Sequence, residues 1–124
     1  MANLKKFLSK QEILSKNDQR SKEVEVPEWG GTVRIATLSI RDRNTMFQGM
    51  FDAKTGQAIP SALAELPAKM CAYCIVDEDG NRIFTEQDIE QLAKKSAAAI
   101  DRIAKAAEEL NGVAPDSVKV SEKN

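Results

Sequence analysis

Apolar residues recur at three- and four-residue steps from Ile89 through Leu92, Ala93, Ser96, Ala97, Ile100, Ile103, Ala104 and Ala107 to Leu110. That period predicts one long amphipathic helix over 86–111. Thr85 stands where an N-cap belongs, with Asp88 three residues on as its capping-box partner, and Phe84 and Ile89 are spaced as a hydrophobic staple. Gly112 and then Pro115 end the pattern. The opposite face carries Glu90, Lys94, Asp101, Arg102, Lys105 and Glu108. The stripe is the expected half of a domain core.

Upstream the period changes to two. Glu23-Val-Glu-Val26 and Thr32-Val-Arg-Ile35 alternate polar with apolar around the dense turn Pro27-Glu-Trp-Gly-Gly31, which predicts a β-hairpin over 23–38. The parity slips after Ile35, so the second strand should end or bulge near Ala36 and Thr37. Ser39 and Asp42 open a short helix over 40–52, whose apolar members are the pairs Met46, Phe47 and Met50, Phe51. Residues 54–60 read as a loop and 61–66 as one or two helical turns before Pro67. The continuous apolar run from Met70 to Val76 reads as a buried strand near 69–76. A turn at 77–81 then leads to a short returning strand at 82–84.

Ser9 and Glu12 form a capping box for a short N-terminal helix bearing Ile13 and Leu14, while Leu4, Phe7 and Leu8 before it suit docking on the core or on a partner. The expected division is an N-terminal helical or flexible segment (1–22), one α+β domain (23–112) with a small antiparallel sheet, and a flexible polar tail (113–124).

Length and charge narrow the functions. At 124 residues the chain suffices for one domain burying roughly two-thirds of its unfolded surface. Eighteen basic and 19 acidic residues give a net charge of −1, so no global field draws in nucleic acid or an anionic membrane. No apolar run approaches the ~20 residues of a membrane span. Lys5 and Lys6 interrupt the apolar positions at the N-terminus, so a secretory signal is not expected and a reducing cytoplasm is the default compartment.

The absence of histidine removes Ser-His-Asp and Cys-His catalysis and His-ligated zinc. Cys71-Ala-Tyr-Cys74 has C-x-x-C spacing, but it lies inside an apolar run with no second ligand pair, which favours two buried hydrophobes over a redox or zinc site. Asp77, Asp79, Asn81 and Asp88 match four positions of a calcium loop, yet Arg82 occupies the glycine position and Asp88 replaces the bidentate glutamate. Turn chemistry explains the same residues. The expectation is a non-enzymatic binding protein with no cofactor and no metal.

Two features could bind a partner. Trp29, the only tryptophan, is either a lid on the core or an exposed anchor. Met46, Phe47, Met50 and Phe51 are either core or an adaptable Met/Phe surface able to re-pack against varied apolar ligands.

Three stretches together resemble a family of tail assembly chaperones from long-tailed bacteriophages and prophages. Val24-Glu-Val-Pro-Glu-Trp-Gly-Gly-Thr-Val-Arg34 is similar to the family's hairpin, and residues 75–88 (Ile-Val-Asp-Glu-Asp-Gly-Asn-Arg-Ile-Phe-Thr-Glu-Gln-Asp) to its acidic turn. Residues 92–100 with Leu110-Asn-Gly112 resemble its closing helix. The resemblance covers about 23–112. It implies a non-enzymatic protein of the infected bacterial host cytoplasm, absent from the mature virion, that shields the tape measure protein until the tail tube protein polymerises around it. It also implies self-association in some members and a longer frameshifted form in many. Trp29, Met46, Phe47, Met50 and Phe51 are then the expected partner contacts. The alternative is a generic interaction or regulatory domain of a prophage or bacterium, which neighbouring genes would distinguish.

Overall fold

The computed structural model describes residues 6–112; the expected tail at 113–124 lies outside the described residues. The class is α+β, as the sequence predicts. A short helix α1 (Lys10–Ser15) precedes the hairpin strands β1 (Ser21–Val26) and β2 (Gly31–Ala36). Then come α2 (Ile40–Phe47), α3 (Pro60–Leu63), α4 (Leu66–Cys74), β3 (Ile75–Val76), α5 (Ile89–Leu92) and α6 (Ala97–Asn111).

The sheet is antiparallel in the order β1-β2-β3, with Val24 opposite Val33 and Ile35 opposite both Lys22 and Ile75. Alternation sends Val24, Val26 and Ile35 into the core under the helices and Glu23, Glu25, Thr32 and Arg34 to the open face. On that face Arg34 pairs with Glu23 at 3.6 Å. The hairpin turns through Pro27–Trp29, and Gly30 takes φ +72°, a left-handed conformation that a side chain would strain. β2 stops at Ala36, where the parity slips.

Several boundaries differ from the sequence reading. The strand expected at 69–76 is confined to Ile75–Val76; Leu66–Cys74 is a helix. A run apolar on every side suits a helix sunk in the core as well as a buried strand, and periodicity alone does not separate them. α4 is that helix, with Met70, Cys71, Ala72, Tyr73 and Cys74 all buried. Pro67 lies in its first turn, where a missing N–H costs nothing. The returning strand at 82–84 reduces to one bridge between Arg82 and Val76.

The helix expected over 86–111 is interrupted. A 3-10 turn at Glu86–Asp88 runs into α5, and a tight turn through Lys94 and Lys95 separates α5 from α6. Ser96 causes the restart: its hydroxyl accepts from the Ala99 N–H at 3.3 Å and caps α6. Gly112 closes the helix at φ +71°. Ile100, Ile103, Ala104 and Ala107 face α4, and the small side chains let the two helices approach closely.

Replacing Ser96 with alanine should therefore cost about 1 kcal/mol of stability in urea titration with an unchanged m-value. A loss below ~0.3 kcal/mol would contradict the capping role.

Candidate functional site

The 3-10 turn at the hairpin tip points Trp29 outward and α6 holds that turn in place. Arg102 donates two hydrogen bonds to the Glu28 carboxylate, at 2.6 and 2.8 Å. This fork holds the Glu28 carboxyl down at about 2 and raises the Arg102 guanidinium. Trp29 is 38% exposed, so it is neither a sealed lid nor a free ring.

Beside it lies a cleft of about 290 Å³ lined by Trp29, Phe84, Asp88, Gln91, Leu92 and Lys95. Its floor is apolar: Leu92 is buried from α5, and Phe84 packs half-buried against the core. Asp88 is held at the rim because its carboxylate accepts from the Thr85 N–H at 2.8 Å and the Thr85 hydroxyl at 3.2 Å. Below, Tyr73 donates to Glu86 at 3.1 Å, and Arg82 stacks 4.2 Å from the Tyr73 ring centre. Burial and the Glu86 hydrogen bond raise the Tyr73 phenol above its ordinary range. The hollow is thus apolar within, with the polar and charged side chains of Asp88, Gln91 and Lys95 around it.

The Met/Phe pairs do not form one surface. Met46 is 0% and Met50 1% exposed, Phe47 is half-buried, and Phe51 is 51% exposed. α2 ends at Phe47, Gln48 is extended and Gly49 takes φ +81°, so Met50 does not continue the helical stripe of Met46. Met46 fills the core beside α4, and its carbonyl accepts from the Lys69 ammonium at 3.1 Å. Met46 and Met50 are thereby corrected from contact residues to core residues. Phe51 stays outside on a short bridge to Ala58. It is not among the residues lining the cleft with Trp29.

Sequence reasoning missed Phe84 and Leu92, which it assigned to the staple and the stripe. The signal was Ser96: read as a cap, it ends the stripe near Leu92 and frees α5 to flank the hairpin tip.

The cysteines are buried on α4, where desolvation pushes both thiols up to about 12. Cys71 donates to the Ile100 carbonyl and Cys74 accepts from the Asn111 side chain, each at 3.8 Å. Neither should react with an aromatic disulfide reagent in the native protein, while both should react in denaturant. A native thiol reacting at the rate of free cysteine would contradict this. The acidic turn is also used structurally, the Asp77 carboxylate accepting from the N–H groups of Asp79 (2.9 Å) and Asn81 (3.0 Å).

At the other end, α1 exposes its apolar side chains. Ile13 and Leu14 face outward on the helix, and just before it Leu8 and Phe7 do the same, Phe7 being 85% exposed. Among the described residues no helix is long and apolar enough to cross a membrane.

The comparisons agree with this architecture. The family model described as phage tail assembly chaperone matches residues 9–124. The solved structure of the bacteriophage HK97 tail assembly chaperone has the same fold, with a TM-score of 0.57 at 20% identity, over 74% of this chain and 85% of that one. No curated protein matches the sequence.

Proposed function

The chain belongs to the phage tail assembly chaperone family, and from that premise we propose that it binds and shields the tape measure protein during tail morphogenesis. It does so without catalysis, in the cytoplasm of the bacterial host, and leaves before the virion is complete. The observation that carries the reading is the cleft between Trp29 and Phe84 over Leu92: a preformed apolar hollow beside an accessible indole. Such a hollow takes one large apolar side chain from an amphipathic helix, and its rim of Asp88, Gln91 and Lys95 tolerates varied polar neighbours. A long helical client with imperfect repeats calls for many modest contacts of this kind. Phe51 and the half-buried Phe47 supply a second, smaller contact away from the cleft. The tail tube protein, and other copies of this chain meeting through the exposed side chains of α1, are the further partners of this reading.

Co-expression tests it. Tape measure protein from the same phage should stay soluble and co-purify with the wild-type chain. Trp29→Glu should fold, yet leave the tape measure protein in the pellet. Equal recovery with the variant would reject the cleft, and no recovery with either would reject the client.

A further inference from the structure

Among the described residues the outer edge of β1 has no neighbouring strand, the sheet running β1-β2-β3. Thr37 N–H donates to the Arg20 carbonyl at 2.8 Å, which sets the ladder phase: residues 22, 24 and 26 bond to β2, and Ser21, Glu23 and Glu25 turn their N–H and C=O groups outward. Neither a proline nor a bulge interrupts the strand. An edge of this kind is a template for one more strand.

The two sides of this edge differ in charge. On the open face stand the exposed Glu23 and Glu25, with Arg34 3.6 Å from Glu23. On the helix side a groove of about 580 Å³ runs between β1 and α6, and Lys22, Val24, Lys105 and Ala106 line it. Arg102 lines it too, its guanidinium already engaged by Glu28. Glu109 falls near the start of β1, where the Leu110 carbonyl accepts from Arg20 at 3.1 Å. Side chains of an added strand alternate between these two sides. Basic ones are attracted by Glu23 and Glu25 and repelled by Lys22 and Lys105, whereas small uncharged ones fit beside Val24 and Ala106. A second copy offers the wrong charges. Two β1 edges pairing antiparallel with most of the strand in register set acid against acid, Glu23 opposite Glu23 or Glu25.

We propose that the β1 edge docks an extended segment of another protein, antiparallel to β1, with basic side chains opposite Glu23 and Glu25 and small uncharged ones facing α6. Main-chain hydrogen bonds to Glu23 and Glu25 supply the attachment, and the one-sided charge selects the segment. The same two glutamates keep copies of this chain from pairing edge to edge. The argument stands apart from the client reading, because it uses neither the cleft nor Trp29.

Amide hydrogen exchange on the full chain tests it, with a capped synthetic peptide, Thr-Lys-Val-Lys-Val-Lys-Thr, as the probe. At saturating peptide the Glu23 and Glu25 N–H groups should exchange at least ~10-fold more slowly, while Val24 N–H, bonded to β2, is unchanged. The same peptide with glutamate in place of lysine should give no protection. The double variant Glu23→Lys with Glu25→Lys should reverse the preference, taking the glutamate peptide and refusing the lysine one. Unchanged exchange with the lysine peptide overturns the proposal, and so does equal protection by both peptides. Protection of Glu23 and Glu25 in the peptide-free chain also overturns it: if it grows with protein concentration the occupant is a second copy, and if it does not the chain fills its own edge.

Discussion

Met46→Lys should abolish cooperative unfolding at neutral pH, or lower stability by about 4 kcal/mol or more. The Met46 side chain is fully enclosed between α2 and the core helix α4. A lysine there must bury an unpaired ammonium or force the packing open, and the neighbouring Lys69 adds a like charge. Against a total of ~5–15 kcal/mol for an ordinary domain, that is a large share. Phe51→Lys, on an exposed ring, should change stability by less than ~0.5 kcal/mol. Urea titration followed by near-ultraviolet circular dichroism separates the two. A Met46→Lys midpoint within error of wild type would put Met46 back on the surface.

The second large effect concerns affinity. Trp29→Ala should weaken binding of a tape measure segment by at least ~30-fold, equivalent to about 2 kcal/mol, because a truncated aromatic anchor leaves the hollow over Leu92 unfilled on both sides. Its effect on folding should be modest, since the ring is more than a third exposed and the turn is held by Glu28, Arg102 and Gly30. Trp29→Phe should recover part of the affinity, whereas a purely structural role would show in the urea midpoint of Trp29→Ala. Wild-type affinity in Trp29→Ala would remove the cleft from the account.

Local chemistry was readable from the sequence where it depends on few neighbours. Ser9 and Glu12 form the reciprocal cap expected of them, Ser39 caps α2, and the hairpin turns at Pro27–Trp29. Gly112 takes its left-handed angle. What the sequence hid depends on the tertiary surroundings. The apolar run at 70–76 has no polar face from which to read a period, so its helix appears only when α4 is seen wrapped by α2, α5, α6 and β2. Ser96 fits an apolar stripe and an N-cap equally by spacing; its bond to Ala99 decides. Met46 and Met50 look like a ridge while α2 is assumed to continue, and Gly49 ends that assumption. The cleft joins Trp29 to Phe84 and Leu92, more than fifty residues away, a proximity no local pattern encodes.

Trp29 is the only tryptophan in the chain, so its fluorescence reports on the cleft directly. Titration with a tryptophan-free segment of the tape measure protein should shift its emission to the blue and saturate, in parallel with binding measured by co-sedimentation. Saturable binding that leaves the Trp29 emission unchanged would contradict docking at the cleft, and no binding at all would contradict the chaperone's choice of client.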